Sequence, residues 1–173
     1  MNGNAPNLPR SNPPKPQPQP QLAFRRPLAS IGTAVEMLDR SAAEVMALIE
    51  EGRLRFAWNI GGRRVRNRTV RILTQSLREF QSGQPTPNTT AEEDFQQAVR
   101  QIFPAVSRAS GLATVRATTI AKRFSVSSSH VLHLIDQREL RALRGTVRRP
   151  GPTGSPAVEF ASVVEFLRKR RLL

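Results

Sequence analysis

The stretch Ser41-Ala-Ala-Glu-Val45-Met-Ala-Leu48-Ile49 returns at a fixed offset of 86 residues as Ser127-Ser-Ser-His-Val131-Leu-His-Leu134-Ile135. In the same register Leu54 lies over Leu140 and Arg55 over Arg141. That makes six identities across the fifteen positions from Ser41 to Arg55, where chance gives about one. Val45, Leu48 and Ile49, like Val131, Leu134 and Ile135, stand at i, i+3 and i+4, the spacing that aligns side chains on one helix face. The repeated residues are those a helix must bury, so the sequence predicts a duplicated unit.

Working outward, each copy has a short helix before the repeated one, near Ile31–Leu38 and Thr119–Phe124, with Ser30 and Thr118 as N-caps. The second helix of each copy opens on Ser41 or Ser127. Gly52 is placed to stop it in the first copy, where Arg138 stands in the second. Leu54 to Ile60 then reads as a strand that turns at Gly61-Gly62 and returns over Arg63 to Asn67, a hairpin or wing. The second copy resumes a strand at Leu140, but its turn, through Arg148-Arg-Pro-Gly-Pro-Thr-Gly-Ser-Pro156, reads as longer and less regular. A closing helix is expected in each copy, from the stripe Val70, Leu73, Leu77 and Phe80, and from Val163, Phe166 and Leu167 after an N-cap at Ser162. Cores of about 50 to 60 residues are marginal, so stability is expected to be modest unless the copies pack together.

Residues 1–28 hold eight prolines among Asn and Gln, with four basic residues and no acid, which predicts a disordered tail of polyproline-II character. Residues 29–81 form the first unit and 113–171 the second. Residues 82–112 read as a linker containing a helix near 91–103, opened by the capping box Thr90-Ala-Glu-Glu93. Its stripe of Phe95, Val99 and Ile102 either packs on the second unit or serves as a homodimer face.

These residues resemble the phage excisionases and the related mercury-resistance-type (MerR) DNA-binding domains. The second copy carries the likeness in Ala121, Phe124-Ser125-Val126-Ser127, Val131, Leu134-Ile135 and Leu140. The first carries it in Leu38-Asp39-Arg40-Ser41, Val45, Leu48-Ile49, Gly52, Leu54 and the wing Gly61-Gly62-Arg63-Arg64-Val65. It departs from the family pattern at Val35, Asp39 and Arg40 in copy one, and at Ser125 in copy two. The resemblance implies a mainly α fold with small β-hairpin wings, two tandem winged helix-turn-helix domains behind the tail. The second helix of such a unit enters the major groove, and its wing reaches the minor groove or phosphates.

On that expectation copy one presents Ala42, Ala43, Met46 and Ala47, none able to make a bidentate base contact. Copy two presents Ser128, Ser129, His130, Leu132 and His133, giving it the better claim to sequence readout. Arg63, Arg64, Arg66 and Arg68 around the first wing, and Arg141, Arg144, Arg148 and Arg149 in the second copy, are expected to grip the backbone. Arg168-Lys-Arg-Arg171 adds a basic end.

Composition agrees with a polyanionic partner. Lys and Arg number 27 against 13 Asp and Glu, for a formal net charge of +14 and a pI near 11.9. Only Lys15, Lys122 and Lys169 are lysines. Arg suits phosphate and guanine, and a GC-rich genome produces the same bias. Cysteine is absent, which excludes thiolate chemistry. No apolar run approaches 18 residues, so a soluble, cytoplasmic and nucleoid-associated protein with no membrane partner is expected. His130, His133 and Asp136 spread too far around one helix to favour a metal, and neither nucleophile motifs nor phosphate loops occur. The sequence thus predicts a non-enzyme without cofactor that binds double-stranded DNA as a transcription regulator or an excisionase-like architectural factor. RNA binding, a protein scaffold, or a replication, partition or packaging accessory remains the alternative.

Overall fold

A computed structural model describes residues 26–62, 69–83, 90–104, 106, 113–143 and 155–172. Among them the fold is mixed α/β, with seven helices and two small antiparallel sheets. The first unit runs β1 (Leu28–Ser30), α1 (Ile31–Leu38), α2 (Ala42–Glu50), β2 (Ala57–Asn59), β3 (Val70–Leu73) and α3 (Thr74–Gln81). Helix α4 (Ala91–Ile102) follows. The second unit runs β4 (Thr114–Arg116), α5 (Ala117–Phe124), α6 (Ser128–Asp136), β5 (Ala157–Glu159) and α7 (Phe160–Arg170), and the chain ends in β6 (Arg171–Leu172).

The offset of 86 survives in three dimensions at several anchoring bonds. Thr74 donates its N–H to the Pro27 carbonyl at 2.9 Å, and Phe160 donates to Ala113 at 2.9 Å. The Ser76 hydroxyl accepts from the Arg55 N–H at 3.0 Å, as the Ser162 hydroxyl does from Arg141 at 3.0 Å. The turns between paired helices match as well, because Asp39 (φ 51°) and Ser125 (φ 53°) both adopt the left-handed conformation usually left to glycine. Asp39 and Arg40 therefore leave the first turn in the same shape as the second. Arg138 (φ 58°) likewise takes the conformation of Gly52 (φ 71°) at the end of its helix. Ser41 and Ser127 cap as predicted, accepting from the N–H of Glu44 and His130.

Several boundaries differ from the sequence expectation. Strand β1 begins at Leu28, inside the expected tail, whose residues 1–25 lie outside the described residues. Helix α5 starts two residues earlier than expected, and Thr118 is not its cap; its N–H bonds instead to the Ser155 hydroxyl at 3.0 Å. Val70 and Leu73 belong to a strand, not to the closing helix, which begins at Thr74. In the second unit Ser162 sits within α7, its hydroxyl serving Arg141 and Glu159. The partner of β2 is β3, with Asn59 opposite Val70 and the Ile60 N–H on the Thr69 carbonyl at 3.0 Å. With Ile60 bonded to Thr69, Gly61-Gly62 is not a two-residue turn, and the return strand expected over Arg63 to Asn67 lies outside the described residues. Gly61 and Gly62 are buried, and a Cβ on Gly62 would stand 2.8 Å from Gln137 Oε1. A side chain at position 62 would thus have to displace the Gln137 carboxamide, and no positive φ is involved. In the second unit the described pairing ends with the Leu143 N–H on the Ala157 carbonyl at 2.8 Å, and the connection expected to be longer, residues 144–154, lies outside the described residues.

The two units are joined, not strung. Alternation along the first sheet sorts its side chains between two cores. Ala29, Ala57, Val70 and Ile72 face the helices of their own unit with Val45, Leu48 and Ile49. Leu28, Trp58 and Leu73 face the other way, into a core built with α4 and the second unit, including Phe103, Ile120, Phe124, Val131, Leu134, Phe166 and Leu167. A sheet buried on both faces explains why Leu54 to Ile60 is more apolar than a solvated wing would be. Strand β6, from the end of the second unit, pairs with β2 and completes the first unit's sheet in the order β1-β3-β2-β6.

Helix α4 is a wall of this shared core. Phe95, Val99 and Ile102 are at most 2% exposed, so the stripe proposed as a homodimer face is already covered by the chain's own units. Two arginines fasten it from opposite sides. Arg55 pairs with the buried Asp94, and Arg168 pairs with Glu92 at 2.6 Å while lying over the Phe95 ring. Neither bond could be foreseen from local periodicity, because each joins residues far apart in sequence.

Candidate nucleic-acid interface

Where α5 turns into α6, the second unit faces β3 and the entering chain of the first across an open cleft of about 1330 Å³. Its cationic lining comes from three places: Arg26 on the entering segment, Arg71 on β3, and Lys122 and Arg123 on α5, with His130 at the edge. Thr118, Thr119 and Ser127 add hydroxyls, and no carboxylate is among its lining residues. The N-terminus of α6 opens beside it, with Ser128 and Ser129 exposed in the first turn. Hydroxyls, guanidinium groups and a helix N-terminus are the groups that hold phosphate oxygens.

Arg71 is the structural member of this set. Its Nε donates to the Phe124 carbonyl at 3.0 Å, its Nη2 to Ser125 at 2.8 Å and its Nη1 to Val70 at 3.0 Å. The first two carbonyls lie at the C-terminal end of α5, where helical partners run out. Ser125 returns a bond from its hydroxyl to the Leu28 carbonyl at 3.2 Å. Burial holds the Arg71 guanidinium below its usual pKa, and neighbouring Arg26 pushes the same way.

The residues singled out from sequence divide into three sets. Ser128, Ser129 and His133 are exposed on α6, as is Leu132. His133 contacts the Gln137 side-chain amide, Nε2 to Nε2 at 2.7 Å. His130 turns inward, its Nε2 lying 2.8 Å from the Ile60 carbonyl. That requires the tautomer with the proton on Nε2 and commits the ring to the boundary between units. Arg141 is spent elsewhere, paired with Glu159 at 3.2 Å and Glu165 at 3.3 Å. Lys169 also bonds Glu165 and, followed by Arg141, holds its carboxyl below the usual range. Arg63, Arg64, Arg66, Arg68, Arg144, Arg148 and Arg149 lie outside the described residues. The expected basic end is largely neutralised within the fold: Arg168 meets Glu92, Lys169 meets Glu165, Arg170 meets Glu139 at 2.8 Å, and Arg171 lies over Phe56.

The cleft residues Arg26, Arg71, Lys122 and Arg123 were missed. A signal for two of them was present in the repeat itself, because Lys122-Arg123 in the second copy replaces Glu36-Met37 in the first. The contrast extends over the whole helix pair. Where the first unit carries Glu36, Asp39, Glu44 and Glu51, the equivalent positions of the second are Lys122, Ser125, His130 and Gln137. The helix pair thus carries a surplus of acids in one copy and a small surplus of bases in the other.

Comparison with protein-family models, with curated proteins and with solved structures finds no match to this chain. No helix among the described residues is long and apolar enough to cross a membrane.

Proposed function

We propose that the chain binds duplex DNA through the helix pair α5 and α6, as a winged helix-turn-helix protein acting as a local transcription regulator or an excisionase-like architectural factor. The observation that carries this reading is the cleft free of acidic lining at the start of α6, in a chain of net charge +14. The order strand, helix, turn, helix, hairpin, helix supports it, being the order that presents a second helix to the major groove. Lys122, Arg123 and Arg26 take the backbone, while Ser128, Ser129 and His133 face the base edges. The first unit's helix pair stays off the DNA, since Glu36, Asp39, Glu44 and Glu51 repel phosphate. Its contribution is the rigid mount, together with the arginines between Gly62 and Thr69, since Gly62 packs on Gln137, the C-cap of α6. Such a ligand would hold the protein at the nucleoid.

The test is a titration of labelled duplex DNA, duplex RNA and single-stranded DNA at two salt concentrations. Duplex DNA should bind tightest. Lys122→Ala with Arg123→Ala should weaken all sequences alike and reduce the salt slope by roughly 2. Ser129→Ala with His133→Ala should instead relax sequence preference. Equal binding of all three nucleic acids, or an RNA preference, overturns the proposal.

A further inference from the structure

A second cleft of about 420 Å³ continues the first, the two sharing Arg26, Pro27 and Arg123. It runs away from α6 toward Arg78 and Gln75 on α3 and Gln101 on α4, again with no carboxylate among its lining residues. The chain at its floor is pinned. The Thr74 hydroxyl donates to the Arg26 carbonyl at 2.7 Å, and the Thr74 N–H donates to the Pro27 carbonyl at 2.9 Å. Arg26 therefore stands at a fixed saddle between the clefts.

Resting on the duplex-DNA reading above, we propose that this second cleft is a phosphate-backbone subsite that carries the same duplex beyond the base pairs under α6. Arg26, Arg78 and Arg123 supply charge, and the Gln101 amide is a donor with no need of a charged partner. The ligand is an extended backbone, because the cleft is open, continuous with the basic groove at the reading helix, and built from four parts of the chain that only the folded units bring together.

Length dependence separates this subsite from the reading helix. The full chain is titrated with duplexes that share one centre and grow outward in both directions. Wild-type affinity should climb with length before levelling. Arg78→Ala with Gln101→Ala should match wild type on the shortest duplex, lose about threefold to tenfold on the longest, and show a salt slope lower by about 1 there. Arg78→Glu should lose more. Unfolding of each variant, followed by the lone Trp58, fixes the conditions under which it is fully folded, and the duplex lengths are compared there. Wild-type affinity on every length for both variants overturns the subsite while leaving DNA binding by α6 intact. Equal losses on short and long duplexes also overturn it, and a wild-type chain with no preference for duplex DNA removes both proposals together.

Discussion

Arg71 of the first unit donates its Nη2 to the Ser125 carbonyl of the second at 2.8 Å, and Ser125 returns its hydroxyl to the Leu28 carbonyl at 3.2 Å. The pair ties β1 and β3 of one copy to the helix turn of the other. Arg71→Ala strands the Phe124 and Ser125 carbonyls, which lose charge-assisted donors worth about 1.5–3 kcal/mol each in a half-buried setting. Chemical denaturation followed by Trp58 should show a loss of about 2–4 kcal/mol. Arg71→Lys should recover only part of it, because one ammonium cannot reproduce the fork.

Ser76 and Ser162 occupy equivalent positions and do the same work, each accepting the N–H of an arginine at the start of the segment that follows the second helix. Both are 3% exposed, so removing either hydroxyl leaves a donor without its partner. Ser76→Ala and Ser162→Ala should each cost about 1–2 kcal/mol. Parallel shifts in the denaturation midpoint are expected, and a neutral result at one site alone would break the equivalence of the two units.

Arg138 holds φ 58° where the first copy has Gly52 at φ 71°. A side chain with a Cβ pays about 1–2 kcal/mol for that conformation, part of which glycine returns as unfolded-state entropy. Arg138→Gly should therefore raise stability by about 0.5–1 kcal/mol, read as a higher melting temperature. Gly52→Arg should lower it by a similar amount.

The exposed capping boxes make stability depend on acid. The Ser41 N–H, then its hydroxyl, hold Glu44 below the usual value of 4.5, and Thr90 does the same for Glu93. A depressed folded value contributes stability that is complete above 4.5 and lost as pH falls through the lower folded value. The melting temperature should therefore fall as the pH is taken below 4.5. The double variant Glu44→Gln, Glu93→Gln should show a shallower drop over that window.

Much of the fold was legible because the repeated residues report burial directly. Val45, Leu48 and Ile49, and their partners Val131, Leu134 and Ile135, fixed two helices and their inner faces. Serine caps at 41 and 127 set where those helices start. Strands were harder, since Val70 and Leu73 satisfy a helical spacing while Val70 and Ile72 satisfy an alternating one, and only the pairing of Leu28 with Leu73 decides between them. The duplication also extends further than the helices advertised: Ser76, Glu79 and Phe80 match Ser162, Glu165 and Phe166 in the same register.

The site was less legible than the fold. Counting arginines located positive charge but could not say which cations are neutralised, because pairs such as Arg170 with Glu139 and Arg55 with Asp94 join residues distant in sequence. His130 stood among the exposed residues of its helix until Ile60 from the other unit covered it. The sequence by itself determined the duplicated unit, its helix faces and caps, and the excess of positive charge, since these follow from local spacing and composition. Tertiary structure alone decided that the first unit's sheet is a wall between two cores. It also decided that α4 spends its apolar stripe inside the chain and that Arg26, Lys122 and Arg123 gather at one cleft. Each of those outcomes depends on which distant segments meet, and that is set by how two marginal cores bury their surface together.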